Sequence, residues 1–243
     1  MDYTKLEQFT YAELKDMATQ MDLRIKRSKI GLVEQICEAF KEYEEYKRDK
    51  IDKYRKDQSS IKGKNSNVYI VTTKEGTQYI MKVIRKHKTS KLLLKESELQ
   101  KLAVAERAAP SVIDIDTVSN YIVMDKMERN LNDVLREQNG TLTKIQQKQI
   151  IHLYKKLDTA KVFHGDSKVS NYMYIGSKLR IIDFGNAKEI NRHLMKKLGT
   201  KTPNVSLMTY ELVSKLREMR VHKSSYEYLC KYLSEQQIEQ LGL

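Results

Sequence analysis

Two polar segments of the chain carry side chains that could act together on a phosphate group. The first is His-Gly-Asp-Ser-Lys-Val-Ser-Asn over residues 164–171, and the second is the Asp-Phe-Gly that begins at Asp183. Asp166 can accept the proton of an attacking hydroxyl, and Lys168 can neutralise the phosphoryl group as it moves. Asn171 and Asp183 offer oxygen ligands for a metal ion that bridges nucleotide phosphates. The residue types and their spacing predict phosphoryl transfer from ATP.

The sequence between these segments predicts the element that positions them. Residues 172–175 and 179–182 read as the two strands of a hairpin, and Gly176-Ser177 supplies its turn. The hairpin delivers Asp183 at its end. An ordinary hairpin flanked by polar caps is the plainer alternative.

The two segments resemble the catalytic loop and metal-binding turn of protein kinases, with Gly165 where an Arg usually stands. Upstream, residues 61–69 look like a degraded form of the glycine-rich loop of that family. Gly63 is retained, while Ser66 takes the place of the third glycine. The resemblance implies that Gly63, Ser66 and Val68 lie against the phosphates of bound ATP, where glycine lets backbone N–H groups come close. An ordinary hairpin is again the alternative.

A lysine and a glutamate further along the chain extend the resemblance. Lys82 lies within an apolar strand pattern over residues 77–84, where an unpaired charge is costly to bury. A helix is predicted over residues 90–107, and Glu96 shares its apolar stripe, whereas Glu98 lies on a different stripe. The resemblance implies that Lys82 contacts the α- and β-phosphates and that Glu96 holds it in place, with Glu98 as the second choice. Solvent-exposed charges are the alternative for all three.

Residues 121–127 resemble the last strand of the smaller kinase lobe and the hinge that follows it. The resemblance implies that backbone groups from Asp125 to Met127 bind the edge of adenine, with Met124 at the back of that pocket. An apolar strand with a polar end is the alternative. The family also uses an aspartate on the first late helix to anchor the catalytic loop; that aspartate is replaced here, with Ser206 as the candidate.

The N-terminal residues predict a separate helical module. Thr10 and Glu13 have the spacing of a capping box, and apolar residues at helical spacing follow. A basic loop over residues 22–28 and a second amphipathic helix come next. Residues 4–41 resemble the SAP-type module of helix, extended loop and helix, a family that binds DNA through phosphate contacts that position without reading sequence. The side chains that would meet the phosphates are Arg24, Lys26, Arg27 and Lys29. A small protein-binding module with a solvated basic loop is the alternative.

Composition limits the classes of protein that fit. The 243 residues carry a formal net charge of +13, which suits nucleic acid, an anionic membrane surface or an acidic protein as partner. Cys37 and Cys230 lie far apart, so neither a disulfide framework nor a cysteine metal site is predicted. A reducing compartment fits these thiols best, and the sequence shows neither a signal peptide nor a membrane-spanning run. We therefore expect an intracellular protein, cytoplasmic or nuclear, without a membrane partner.

The sequence after Gly185 is short for the larger lobe of a kinase and lacks an Ala-Pro-Glu motif. This compact end resembles the small atypical kinases of the Bud32/PRPK and RIO kinds, or truncated kinases encoded by large DNA viruses, which act in the host cell or virion. We expect an α+β, two-lobed protein-kinase-like fold with a truncated C-terminal lobe. The expected boundaries are a SAP-like module over residues 1–45, a charged helical linker over 46–60, and a kinase-like domain over 61–243 whose lobes divide after residue 127.

These features predict an ATP- and Mg²⁺-dependent kinase that transfers the γ-phosphoryl group to Ser or Thr of a protein substrate. The N-terminal module would hold it on DNA or another nucleic acid. Three alternatives stay open. A pseudokinase scaffold would explain the poor glycine loop, and a nucleic-acid adaptor would use the fold only as a partner surface. A small-molecule kinase of the aminoglycoside type also uses His-Gly-Asp, but Lys168 argues against it.

Overall fold

The computed structural model describes residues 6, 8–62, 66–85 and 90–243. The predicted phosphate contact of Gly63 lies outside the described residues. The chain divides into two compact units, one formed by Met1–Lys56 with Thr72–Thr77 and the other by Asp57–Val71 with Gln78–Leu243. Helices combine with antiparallel strand pairs, so the fold is α+β, as the sequence predicted.

Two helices dominate the first unit. Helix α1 spans Tyr11–Gln20 and helix α2 spans Lys29–Lys53. The capping box predicted at Thr10 is confirmed, because the Thr10 hydroxyl accepts the backbone N–H of Glu13 and the Glu13 carboxylate accepts that of Thr10. Ser28 caps α2 by accepting the N–H of Gly31 at 3.1 Å. The apolar faces of the two helices bury one small core, formed by Leu6, Leu14, Ala18, Leu32 and Ile36.

The predicted linker differs from the structure at its second half. Helix α2 continues through the boundary expected at residue 45 and ends at Lys53, so the first part of the linker is helical. Strand β1 then spans Arg55–Lys62, where a helix was predicted. Because β1 is the edge neighbour of β2 (Ser66–Thr72), hydrogen bonds to another strand outweigh the local helix preference of this charged segment.

Five strands form one sheet in the order β1, β2, β3, β5, β4. The last three span Gln78–Ile84 for β3, Val112–Asp116 for β4 and Tyr121–Asp125 for β5, and β5 pairs antiparallel with both β3 and β4. Helix α3 spans Ser90–Ala105, close to the predicted bounds. Side chains from the sheet and from α3 share a small apolar core, formed by Ile84, Leu93, Ile122 and Met124. This core fixes α3 against the sheet that carries Lys82.

The rest of the second unit is built around one larger core. Buried side chains of helix α5 (Lys144–Thr159) contribute to this core, together with buried residues of the hairpin of β8 (Tyr172–Ile175) and β9 (Lys178–Ile181) and of helix α7 (Thr209–Glu218). The predicted hairpin is confirmed, with Tyr172 opposite Ile181. The elements are β6 (Arg129–Asn130), α4 (Leu131–Glu137), α5 (Lys144–Thr159), β7 (Val162–Phe163), β8 (Tyr172–Ile175), β9 (Lys178–Ile181), β10 (Lys188–Glu189), α6 (Arg192–Leu198), α7 (Thr209–Glu218) and α8 (Glu235–Gln240). A π-helical turn, Asn204–Met208, precedes α7.

Within the described ranges, none of the helices has the length and apolar character needed to cross a membrane.

Candidate active site

The β8–β9 hairpin places Asn171 next to Asp183. The backbone N–H of Ile182 donates to the carbonyl of Asn171 at 3.0 Å, which continues the hairpin register by one pair. The side-chain amide of Asn171 is buried and donates to the carbonyl of Asp166 at 3.4 Å, which leaves its oxygen as the acceptor end of the group. Strand pairing and this side-chain hydrogen bond therefore bring together Asn171, Asp183 and Asp166, which the sequence predicted to share one site.

Lys82 links the sheet to two acidic side chains. Its Nζ lies 2.5 Å from Oε1 of Glu96 on α3 and 2.7 Å from Oδ1 of Asp183. Burial disfavours the ammonium, but the two carboxylates more than offset this and raise the pKa of Lys82. Burial would likewise raise the pKa of Asp183, yet the charge and hydrogen bond of Lys82 hold it below its ordinary value. Lys82 and Asp183 are thus both charged at neutral pH.

Helix geometry explains why Glu96 and not Glu98 contacts Lys82. Glu96 is 6% exposed and shares the inward face of α3 with Leu99 and Ala103. Glu98 is exposed, because two residues along an α-helix rotate the side chain away from that face. The choice made from the apolar stripe of the helix therefore agrees with the contacts in the structure.

Asp166 and Lys168 form the second pair of charged groups at the site. Asp166 is 8% exposed, and its Oδ1 accepts the backbone N–H of Lys168 at 3.1 Å. Nζ of Lys168 lies 3.3 Å from the other carboxylate oxygen, Oδ2, while most of the lysine side chain is exposed. A buried carboxylate can orient a hydroxyl, and an exposed cation beside it can stabilise negative charge on a transferring group.

Backbone conformation accounts for the glycine that replaces the usual Arg. Gly165 has φ of +70°, a region that favours glycine. A Cβ atom at this position would lie 3.4 Å from the Phe163 ring and 3.5 Å from the carbonyl oxygen of Asn186. These are ordinary van der Waals distances, so it is the backbone conformation, and not lack of space, that favours glycine immediately before Asp166.

A buried asparagine that the sequence reasoning missed anchors the start of the loop. Oδ1 of Asn204 accepts the backbone N–H of His164 at 3.0 Å, and its Nδ2 donates to the carbonyl of Val162 at 2.8 Å. The same Nδ2 and the Asn204 backbone donate to Oδ1 of Asp158 at 2.7 and 3.0 Å. Burial raises the pKa of Asp158 even though these donors oppose the shift.

The anchoring role expected of Ser206 is therefore wrong. The Ser206 hydroxyl donates to the carbonyl of Thr202 at 3.0 Å, one turn back along its own segment. The π-helical geometry of Asn204–Met208 turns residue 204, and not residue 206, toward the loop. In the sequence, the feature that could have pointed to this anchor is Asn204 itself, a side chain with an amide directly after Pro203.

His164 joins the two predicted segments through its ring. Nδ1 lies 3.1 Å from the carbonyl oxygen of Asp166, and Nε2 lies 3.0 Å from that of Ile182. The ring meets Phe184 edge to face with centroids 4.9 Å apart. Burial lowers the pKa of His164, although the two carbonyls and the carboxylates of Asp166 and Asp183 oppose the shift. The ring therefore helps to fix the loop relative to Asp-Phe-Gly.

Two further buried polar contacts involve the candidate catalytic loop and the strand that follows it. The hydroxyl of Ser167, which is fully buried, donates to Oε2 of Glu211 on α7 at 2.5 Å. The hydroxyls of Tyr154 and Tyr172 lie 2.5 Å apart in the core, and burial raises the pKa of both phenols. Nothing in the sequence pattern distinguished these residues, since each partner comes from a distant segment.

Some of the predicted ATP-binding and catalytic residues line one cleft of ≈690 Å³ in the second unit. Six of them are among its described lining residues: Ser66, Lys82, Glu96, Asp166, Lys168 and Asp183. Two additional lysines, Lys95 and Lys188, also face this cleft. Charged groups of both signs at a concave surface suit a ligand that carries phosphates and a metal ion.

The residues predicted to bind adenine are not among the described lining residues of this cleft. The side chain of Met124 is buried in the core with Leu93 and approaches Gln100 through its sulfur. Asp125 exchanges hydrogen bonds with Ser111, and Met127 is buried. Val68, which was predicted with Gly63 and Ser66 to contact bound ATP, is half-buried in β2 and is not among the described lining residues either. The adenine contact of these backbone groups stays a prediction.

The oxygen ligands of Asp183 and Asn171 fit a magnesium ion. Across the described ranges, no cluster of three or more His, Cys, Asp or Glu side chains is arranged to hold a metal by itself. Mg²⁺ is usually held by one or two carboxylates together with substrate phosphates and water. The half-exposed carboxylate of Asp183 and the amide of Asn171 match that incomplete protein ligand set.

The predicted DNA contacts lie in the other unit and form a group of their own. Arg24, Lys26, Arg27 and Lys29 are all exposed in the loop after α1 and at the first residue of α2. The hydroxyl of Tyr11 donates to the carbonyl of Lys26 at 2.8 Å and so fixes the middle of the loop. The structure brings these four cations together but does not test their partner.

Comparison with known proteins gives one partial similarity and no family match. No protein-family model matches the chain. A segment of 89 residues is 36% identical to a protein of Acanthamoeba polyphaga mimivirus named "Putative serine/threonine-protein kinase". The match covers 35% of this chain but 16% of the mimivirus protein, so the chain corresponds to a small part of that relative.

Proposed function

We propose that the chain is a protein kinase with the two-lobed fold of that family. It would transfer the γ-phosphoryl group of ATP to Ser or Thr of a protein, with Mg²⁺ as cofactor. The observation that carries the proposal is the contact of Lys82 with both Glu96 and Asp183, at a cleft that also contains Asp166 and Lys168. The name of the partly similar mimivirus protein supports the same class and a viral origin.

In this proposal Lys82 binds the α- and β-phosphates of ATP. Its ammonium is desolvated and is held between two carboxylates, so its position is fixed before the nucleotide arrives. Glu96 would keep Lys82 in place if Asp183 served as a ligand of the metal. Ser66, at the start of β2, faces the same cleft and has a hydroxyl that can donate to a phosphate oxygen.

Asp166 would orient the acceptor hydroxyl and take its proton as the oxygen attacks the γ-phosphorus. Lys168, 3.3 Å from Asp166, would stabilise negative charge on the equatorial oxygens in the transition state. Mg²⁺ held by Asn171 and Asp183 would neutralise the phosphate charge. His164 and Asn204 would act by positioning, since Asn204 holds the start of the loop and the His164 ring contacts the carbonyl of Ile182.

The exposed basic loop supports a second part of the proposal. We propose that the N-terminal SAP-like module holds the enzyme on nucleic acid through Arg24, Lys26, Arg27 and Lys29. Four cations on one loop can release counterions from a phosphate backbone, and they would position the protein with little sequence preference.

A transfer assay tests the enzymatic proposal. The purified chain is incubated with labelled ATP, Mg²⁺ and either an acidic or a basic protein acceptor, and the phosphorylated residue is identified. Asp166→Asn should lower transfer by about 10²–10⁴-fold while nucleotide affinity is retained. Nucleotide binding without transfer by the wild type would favour a pseudokinase. Transfer to an aminoglycoside in place of protein would favour the small-molecule class.

A further inference from the structure

A stripe of basic residues runs along the exposed side of α5. Lys144, Lys148, His152 and Lys155 are exposed and recur at helical spacing, whereas the opposite side of the helix is buried in the core. This stripe lies in the second unit and belongs neither to the candidate cleft nor to the basic loop of the first unit.

Two tyrosines pack beside the stripe. The rings of Tyr228 and Tyr232 have centroids 5.7 Å apart and are tilted by 60°, and their hydroxyls lie 3.1 Å apart. Both rings are half-buried, so each keeps part of its surface open. Gln147, buried in α5, accepts the backbone N–H of Tyr228 at 2.9 Å and so fixes the segment to the helix.

Three ammonium groups surround these rings. Nζ of Lys148 and of Lys231 each lie 5.9 Å from the centroid of Tyr228, and Nζ of Lys155 lies 5.4 Å from that of Tyr232. We name this arrangement the lysine–tyrosine platform, formed by Lys148, Lys155, Tyr228, Lys231 and Tyr232. In the described part of the chain, no carboxylate forms an ion pair with any of the three lysines.

A second group of cations includes Lys156, the residue of α5 that follows Lys155. Burial, together with the charges of Arg180 and Arg107, lowers the pKa of Lys156, and only Glu106 opposes this shift. Burial and the charge of Arg107 likewise lower the pKa of Arg180. Cations from α5, β9 and the turn after α3 therefore repel one another here, which favours a polyanion that would relieve the repulsion.

We propose that the lysine–tyrosine platform binds single-stranded nucleic acid, with bases against the two tyrosine rings and phosphates at the three lysines. Aromatic rings interleaved with cations are the combination that holds single strands, because unpaired bases stack on rings while the charges follow the backbone. In a duplex the bases are stacked on one another, so a duplex would contact only the lysines of the platform, through its phosphates. The platform is separate from the proposed kinase activity and from the N-terminal loop.

Fluorescence anisotropy on the full-length chain tests this assignment. The probes are labelled oligo-U, oligo-dT and a duplex of the same length, each titrated over a range of salt. All proteins carry Lys26→Ala, Arg27→Ala and Lys29→Ala, which removes three of the four N-terminal cations from the comparison. We expect the single strands to bind more tightly than the duplex, and the RNA and DNA arms show which sugar is preferred.

Two sets of substitutions separate charge from stacking. Changing Lys148, Lys155 and Lys231 to Ala should weaken single-strand binding at least about tenfold and flatten the log–log salt slope by about 2, since each phosphate contact contributes about 0.7. Changing Tyr228 and Tyr232 to Leu should weaken binding by about tenfold or more with little change in slope. The corresponding Lys→Arg and Tyr→Phe variants should retain affinity.

Matched controls make the result decisive. Changing the exposed lysines Lys196, Lys197 and Lys201 to Ala removes the same charge elsewhere on the unit and should leave single-strand affinity nearly unchanged. Thermal melting identifies any variant that fails to fold, in which case the Lys→Ala changes made one at a time carry the test, each expected to flatten the log–log salt slope by about 0.7. Equal affinity for duplex and single strand, or competition by polyglutamate as strong as by oligo-U, would overturn the proposal and indicate a surface for acidic proteins.

Discussion

The backbone N–H of His164 donates to the side-chain oxygen of Asn204 at 3.0 Å, so a residue just before α7 fixes the start of the candidate catalytic loop. Replacing Asn204 with Ala would leave this N–H and the carbonyl of Val162 without their buried partner, and it would remove one of the two N–H donors to Oδ1 of Asp158. Because unsatisfied buried groups cost about 1–3 kcal/mol each, we expect Asn204→Ala to lower the free energy of unfolding by about 2–4 kcal/mol in urea titrations.

Ser206→Ala is the matched control for that experiment. Its hydroxyl bonds a carbonyl of its own turn, and we expect a change within about 0.5 kcal/mol. Equal effects of the two substitutions would show that Asn204 is not the anchor.

The two glutamates of α3 offer a paired test of the ion pair with Lys82. Glu96→Gln removes the charge 2.5 Å from Nζ of Lys82, whereas Glu98→Gln changes an exposed residue two positions away. If Lys82 positions the phosphates, Glu96→Gln should lower kcat/KM for ATP by about 100-fold, the size of effect that slight misplacement of a reacting group produces. Glu98→Gln should match the wild type, and steady-state kinetics of both variants measures the difference.

Sequence reasoning succeeded at this site where a local pattern determined the geometry. The apolar stripe of α3 selected Glu96, and the hairpin register brought Asn171 next to Asp183, because both follow from helix and strand periods. It failed where the partner came from a distant segment. The π-helical turn that aims Asn204 at the loop leaves no periodic signal, and the strand at Arg55–Lys62 forms only because β2 pairs with it.

The buried ring of His164 predicts a dependence of stability on pH. Its pKa is lowered in the folded protein, so the unfolded chain binds the extra proton first as the pH falls. Above the ordinary histidine pKa of about 6.5, His164 is neutral in both the folded and the unfolded protein, and the folded state keeps the full stability that the neutral ring contributes. As the pH falls from about 6.5 toward the lower pKa of the folded state, this stability is lost, because the unfolded chain takes up the proton more readily. The slope it adds is at most about 1.4 kcal/mol per pH unit, the value for one proton.

Urea unfolding of the wild type and of His164→Gln between neutral pH and pH 5 measures that slope. We expect the variant to be less stable at neutral pH but to show a flatter dependence in this window. An unchanged slope would mean that His164 is not the group that takes up the proton.

Asp183 should couple nucleotide affinity to metal. We expect Asp183→Asn to weaken ATP binding at least about tenfold in calorimetric titrations with Mg²⁺, because the carboxylate is the one charged ligand of the candidate metal site. In the presence of a chelator the wild type should bind as weakly as the variant. Wild-type affinity that is insensitive to the chelator would argue against a metal at Asp183 and Asn171.

The exposed loop between α1 and α2 should bind duplex DNA through charge. In the full-length chain carrying Lys148→Ala, Lys155→Ala and Lys231→Ala, the remaining duplex affinity should fall steeply as salt rises. Adding Lys26→Ala and Arg27→Ala should reduce the log–log slope by about 2, since each duplex phosphate contact contributes about 0.9. Neither residue caps α2, a role that belongs to Ser28, so circular dichroism should show unchanged helix content. Anisotropy titrations that show the same slope with and without these two changes would favour a protein-binding role for the module.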